Sequence, residues 1–205
     1  MKIIFPVMGA ENISAACMVS LCKDLGHCVK VAFDRALFDD KQYFSINFLA
    51  KLFDTKKQVV QEIIKEKPDI LAMSVFADNY QWSLDLVRRV KEKHKNFVTV
   101  WGGIHPTSVP EDVIKEDLVD FVIEGDGEVP MTKLLHALEN GKNFEDVPNL
   151  WFKKDKKIIP GKHVYLNETG DFPKPDKKVF EDFVPIEEYY LTVTNKGCIQ
   201  KCSFC

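Results

Sequence analysis

The stretch of this chain with the most chemistry in it is Gly197-Cys198-Ile199-Gln200-Lys201-Cys202-Ser203-Phe204-Cys205, with three residues between the first two cysteines and two between the second pair. Three thiolates on so short a loop suit soft, iron–sulfur-type metal chemistry. They can ligate three corners of a cubane cluster, which leaves the fourth iron without a protein ligand and open to chelate a small molecule. Two plainer readings stay open beside it. One is a zinc site that borrows a fourth ligand such as His163, although zinc sites more often use paired two-residue spacings. The other is a group of thiols with no metal. The remaining cysteines, Cys17, Cys22 and Cys28, are scattered and read as small buried apolar side chains. In a reducing cytosol the terminal group reads as metal binding rather than as disulfides.

The spacing, the aromatic Phe204 before the third cysteine and the apolar run Tyr189 to Thr194 leading into the loop closely resemble the radical SAM superfamily. The resemblance implies that Cys198, Cys202 and Cys205 hold a [4Fe-4S] cluster, that its open iron binds S-adenosylmethionine, and that Phe204 packs near the adenine. An electron from a donor such as flavodoxin or ferredoxin would then cleave the sulfonium to a 5′-deoxyadenosyl radical. The superfamily's barrel needs ~150 or more further residues. The 205 residues are therefore expected to be the N-terminal part of an enzyme, truncated just inside its barrel and inactive alone.

The elements before the cysteines must position whatever the cluster works with. Lys2 to Val7 is a short β-rich run, and Asn12 or Ser14 can cap a helix carrying Met18, Leu21, Cys22 and Leu25, closed by Gly26. Val29 to Phe33 is a second strand. Ile70 to Val75 is a continuous apolar strand, as expected where both faces of a parallel sheet are covered. Phe97 to Trp101 and Phe121 to Ile123 are further strands. Helical stripes at Val59–Ile64, Trp82–Val90, Pro110–Lys115 and Leu134–Leu138 lie between and after these strands. Strand and helix alternate about five times, which predicts an α/β fold with a Rossmann-like (flavodoxin-like) doubly wound parallel sheet and right-handed crossovers. Residues 34 to about 55, rich in Phe, read as an inserted, partly helical segment lying over the sheet or a ligand. After about residue 145 a β-hairpin, Leu150–Phe152 with Ile158–Ile159, is predicted. A Pro-, Lys- and acid-rich linker follows, and then the first strand and cluster loop of the truncated barrel. The domain limits expected are 1–145, 146–188 and 189–205.

Ligands of such sheets sit outside the carboxyl ends of the strands. The loops to watch are therefore Met8 to Ile13, Ser74 to Tyr80, Gly102 to Pro106 and Glu124 to Glu128. Gly102-Gly103-Ile104-His105-Pro106-Thr107 after one strand and Glu124-Gly125-Asp126-Gly127-Glu128 after the next resemble the cobalamin-binding domains that precede many radical SAM barrels. Together with the cysteines, the resemblance implies a cobalamin-dependent radical SAM enzyme, a methyltransferase or a related catalyst. Glycines at a strand end let the backbone approach the flat benzimidazole tail of cobalamin without a Cβ in the way. Ser74 is placed to hydrogen-bond a ring nitrogen of that tail, and the loop from Val75 and Phe76 to Tyr80 to line the corrin or tail. Gly102, Gly103, His105, Glu124 and Gly125 complete the candidate contacts. The family's Asp-x-His-x-x-Gly pattern is missing from the first loop, Val7 to Ser14, so a bound corrinoid is expected to be base-off with no histidine on cobalt. Plainer roles stay open: a ligand-free turn at Gly102-Gly103, a loop histidine at His105, and carboxylates at Glu124 and Glu128 favouring a helix N-terminus. His27, His94, His136 and His163 are expected on surfaces.

A net charge of −3 gives no basic footprint for nucleic acid. Lys153, Lys154, Lys156 and Lys157 read as a solvated hairpin surface. No run approaches the ~20 apolar residues of a membrane span, so a cytoplasmic protein is expected. Two other functions stay open: a stand-alone corrinoid-binding module, and a radical SAM protein whose Rossmann-like domain has lost cobalamin. Substrate identity is not readable.

Overall fold

The computed structural model describes residues 1–36, 39–40, 44–46, 48–49, 53–162, 164, 173–185 and 191–192. Cys198, Cys202, Cys205, Phe204, His163 and most of the 189–194 run lie outside the described residues.

The chain opens with β1 (Lys2–Met8), in which Ile3, Ile4, Phe5 and Val7 are all buried because helices cover both faces. Helix α1 (Ile13–Asp24) starts at Asn12, whose Oδ1 accepts from the Ala15 N–H at 2.9 Å, and it buries Ala15, Ala16, Val19 and Cys22. Strand β2 (Cys28–Asp34) pairs parallel to β1. A two-stranded ribbon, β3 (Asp39–Asp40) with β4 (Phe44–Ser45), follows. Helix α2 (Thr55–Glu66) is capped by Asp54 and closed by Lys67 in the left-handed region. Then come β5 (Ile70–Ser74), α3 (Tyr80–Lys91), β6 (Val98–Gly102), the short α4 (Ile104–Ser108) and α5 (Pro110–Lys115), β7 (Phe121–Ile123) and α6 (Glu128–Asn140). The hairpin β8 (Leu150–Lys154) and β9 (Lys157–Ile159) closes the regular structure.

The sheet order is β2-β1-β5-β6-β7-β8-β9. The strands from β2 to β7 run parallel, whereas the hairpin adds on antiparallel through Phe121 opposite Phe152 and Ile123 opposite Leu150. The order reverses between β1 and β5, which is the switch point where an open α/β sheet parts its crossovers and leaves a crevice. One core layer packs α1 and α6 on the sheet through residues such as Val19, Ala72, Leu134 and Phe121. The other packs α2, α3 and α5 through Ile63, Leu86, Trp101 and Ile114. The doubly wound expectation holds.

Four expectations give way. The 160–188 stretch is not simply an extended linker. It holds a 3-10 turn, Lys177–Phe180, whose Phe180 is fully buried edge-on to Phe33 at 6.2 Å, while Phe183 stacks on the same ring at 5.0 Å. Aromatic side chains overrode the polar composition. The His27 side chain is buried rather than on the surface. It sits where β2 begins beside the chain's amino group, with Nδ1 3.4 Å from that nitrogen and 3.5 Å from Glu139 Oε1. Cys28 is exposed at the start of β2, and only Cys22 of the early cysteines is fully buried. Within the Phe-rich insertion, Phe48 is 75% and Phe53 48% exposed, so these two do not cover the sheet. Phe38, Tyr43 and Leu52 lie outside the described residues.

Candidate functional site

Strand alternation decides what faces the crevice. On β5, Ile70 and Ala72 belong to the α1/α6 side, so Ser74 two residues on points the same way at the strand's carboxyl end. On β6, Val98 and Val100 bring Gly102 to that side by the same rule. Phe5, Ala72, Val100 and Ile123 form the floor of a cavity of about 670 Å3 between the sheet and helices α1 and α6. Cys17 and Met18 of α1 and Met131 of α6 form its walls. That volume is in the range of small-molecule and cofactor pockets. The four loops singled out from the sequence all reach it, through Ile13, Ser74, Gly102-Gly103 and Gly125 to Glu128.

Ser74 is one of the polar groups of the lining, at the carboxyl end of β5. Asn12 Nδ2 donates to its Oγ at 3.1 Å, and Asn79 Nδ2 donates to its carbonyl at 3.3 Å. Asn79 Oδ1 in turn accepts from the Phe76 N–H at 2.9 Å, which closes the loop after β5. Gly103 has φ +105, and a Cβ there would lie 2.7 Å from the Val75 carbonyl oxygen and 2.8 Å from its nitrogen. Its backbone is thus pressed against the neighbouring loop, with Val75 N–H donating to Gly102 O at 2.8 Å and His105 N–H to Val75 O at 3.2 Å. The sequence reading assigned both glycines to ligand approach, and the geometry separates them. Gly103 serves loop-to-loop packing. Gly102 lines the slot beside it, and a Cβ there would meet nothing nearer than Ile123 O at 4.0 Å.

Val75, Phe76, His105 and Glu124 stand outside the cavity lining. Val75 is buried on the opposite face of the sheet, and Phe76 is 37% exposed. His105 rests on the Tyr80 ring at 4.5 Å. Burial, then the Glu116 and Asp112 carboxylates, raise the Tyr80 phenol above its usual range. Glu124 accepts from Trp151 Nε1 at 2.9 Å. Burial pushes the Cys22 thiol up to about 12, which makes it an inert core group.

Sequence reasoning missed the side that closes the slot. Pro173, Lys174, Pro175 and Thr192 line it. The Asp176 N–H donates to Ala16 O at 3.1 Å, and Lys23 pairs with Asp176 at 2.7 Å, so this strap is docked along α1. Lys177 reaches back to Glu11 Oε1 at 3.1 Å, in the loop after β1, and also donates to the Leu191 carbonyl. The Pro- and Lys-rich composition masked this contact, and no local signal marks it.

A B12 binding domain profile matches residues 21–135. The chain belongs to the B12-binding domain family. Its sequence is 30% identical over 149 residues to the cobalamin-dependent radical SAM methyltransferase TokK of Streptomyces tokunonensis, a match covering 68% of this chain and 22% of that protein. It is 25% identical over 162 residues to an anaerobic magnesium-protoporphyrin IX monomethyl ester cyclase of Synechocystis sp., covering 74% and 32%. The fold superposes with a TM-score of 0.65, at 14% identity, on the cobalamin-dependent S-adenosylmethionine radical enzyme OxsB with aqua-cobalamin and S-adenosylmethionine bound, over 89% of this chain and 25% of that one. The B12-binding chain thus spans about a fifth to a third of these proteins. Its crevice combines an apolar floor, the strand-end glycine Gly102 and the Ser74 hydroxyl. Among the described residues no three His, Cys, Asp or Glu side chains are grouped to hold a metal ion, and no helix is long and apolar enough to cross a membrane.

Proposed function

We propose that this chain is the corrinoid-binding part of a cobalamin-dependent radical SAM enzyme that transfers a methyl group. The observation that carries the reading is the slot at the switch point, built on Ser74 and Gly102, in a chain that also holds the Cys198-x3-Cys202-x2-Cys205 triplet. When bound, the corrinoid supplies a transferable methyl group and a [4Fe-4S] cluster supplies the electron that cleaves S-adenosylmethionine.

The chain's own residues have separate tasks. The apolar floor of Phe5, Ala72, Val100 and Ile123 takes the flat tail base and excludes water from it. Ser74 anchors that base by a hydrogen bond. The first loop, Val7 to Ser14, holds no histidine, and His105 is engaged with Tyr80 outside the slot. The corrinoid is accordingly held base-off without a histidine on cobalt. Cys198, Cys202 and Cys205 are the cluster ligands, a donor set of three soft thiolates that fits an open-cornered iron–sulfur cluster. Phe204 would pack near the adenine, and an electron donor such as flavodoxin or ferredoxin in the cytoplasm would deliver the electron.

The test is anaerobic reconstitution with hydroxocobalamin, desalting and an absorption spectrum. Near-stoichiometric corrinoid with a base-off spectrum, unchanged in His105→Ala and reduced in Gly102→Val, is expected. Well-folded protein that retains no corrinoid overturns the reading. The cluster is tested separately by iron content with each of the three cysteines changed to Ala.

A further inference from the structure

We propose that Asn12 fixes the polarity of the Ser74 hydroxyl and thereby selects corrinoids whose nucleotide base carries an unprotonated ring nitrogen. The inference rests on the corrinoid reading of the slot. It deepens that reading from a binding site to a discriminating one.

The argument follows hydrogen-bond bookkeeping across two side chains. An asparagine amide has one acceptor end and one donor end. At Asn12 the choice between them is not free. The Ala15 N–H is the orphan donor of the first turn of α1, and it must meet the oxygen, Oδ1, at 2.9 Å. The donor end, Nδ2, is left facing Ser74 Oγ at 3.1 Å. A hydroxyl that accepts there has its own proton directed elsewhere. Among the described residues that proton meets no acceptor of the chain, and Ser74 lines the slot. Helix capping thus dictates that the slot presents a hydrogen-bond donor at the carboxyl end of β5.

A donor in an apolar slot discriminates strongly. A benzimidazole nitrogen freed from cobalt offers a lone pair in the ring plane and satisfies it. A phenolic base has no ring nitrogen and leaves the hydroxyl unpaired. Leaving a half-buried polar group unmet costs about 1–3 kcal/mol, which corresponds to about fivefold to 150-fold in affinity. The apolar floor of Phe5, Ala72, Val100 and Ile123 does not tell the two bases apart, because both are flat and apolar.

Asn12→Asp inverts the polarity with little change of shape. A carboxylate oxygen still accepts from the Ala15 N–H, and a negative charge at a helix N-terminus is favourable, so α1 keeps its cap. The other oxygen can only accept, so Ser74 must turn its proton to Asp and show lone pairs to the slot. The experiment titrates the full 205-residue chain and the variants Asn12→Asp and Ser74→Ala with two corrinoids, following tryptophan quenching: hydroxocobalamin and a cobamide whose base is p-cresol. Comparing each corrinoid between proteins cancels its own cost of detaching base from cobalt. Cobalamin is expected to bind both variants about tenfold or more weakly than wild type, with the p-cresol cobamide changing less than about threefold. Equal weakening of the two corrinoids, or no change in either, overturns the selection and leaves the corrinoid reading standing. Folded wild-type protein that binds neither corrinoid overturns the corrinoid reading and the selection with it.

Discussion

Replacing Lys177 with Met removes the positive charge beside a carboxylate that has almost no water around it. The Glu11 side chain is 1% exposed and that of Lys177 8%, with Nζ 3.1 Å from Oε1. Among the described residues no well-aligned hydrogen bond reaches either Glu11 oxygen, so the ion pair is the main compensation for burying that charge. Removing one partner of a buried pair costs about 3–5 kcal/mol, because the other charge is left uncompensated. The protein has one escape, which is to lift the strap and hydrate Glu11. That exposes Phe180 and Val184, and each fully buried side chain of this kind is worth about 1.5–3 kcal/mol. The two routes therefore cost similar amounts, and neither is cheap. Lys177→Met is expected to lower stability by about 3–5 kcal/mol, or Tm by about 6–20 °C for a chain of this size. Urea unfolding by tryptophan fluorescence measures the loss, and trypsin cleavage after Lys178 reports strap lifting. The double variant Glu11→Met/Lys177→Met is expected to recover most of it, since well-packed apolar pairs replace buried ion pairs at little cost. A single variant within about 1 kcal/mol of wild type, or a double variant as damaged as the single, would show that the pair does not hold the strap.

Gly103→Ala is expected to lose more than about 2 kcal/mol, since its Cβ meets Val75 backbone at 2.7 Å and φ is +105. Gly102→Ala should stay within about 1 kcal/mol of wild type in urea and lose corrinoid occupancy instead. Hydrogen bonds from Lys30 and Lys2 hold the Glu66 carboxyl below its ordinary 4.5, so its contribution is full above that pH and fades as pH falls through the lower folded-state value. Urea midpoints between pH 6 and 3 should therefore fall less steeply in Glu66→Gln. Alkylation mapped by mass spectrometry at pH 8 should label exposed Cys28 readily and Cys22, raised to about 12, hardly at all. Cys17, on the slot wall, should become protected once hydroxocobalamin is bound.

The parts of this protein that were legible in its sequence are those whose physics is local. The run Ile3 to Val7 has to be a strand covered on two sides, and Gly141, with φ +60, has to end its helix. Asn12 was readable as a cap because the Ala15 amide it serves is three residues away. Its second task was not readable, because Ser74 is 62 positions along the chain. Glycine at position 103 was marked as special, but what it must avoid is Val75, and only the fold brings those loops together. The strap shows the limit most clearly. Pro, Lys and acidic residues predict a solvated tether, and the tether docks because Phe180 and Phe183 find Phe33 on β2.

The strap also bears on how slot and cysteines relate. Lys177 Nζ meets both Glu11 Oε1, one residue before Asn12, and the carbonyl of Leu191. Thr192, the next residue, lines the slot. From there to Cys198 the sequence has only six peptide links, about 20 Å of chain even when fully extended. The first thiolate is therefore tethered to the slot mouth by covalent reach alone. A domain that carried a corrinoid away from the cysteines would need a long free tether at this point. Instead, the tether is docked by a buried ion pair and buried aromatics before it reaches them. On the corrinoid reading, Cys198 would stay within about 20 Å of chain of the slot lining.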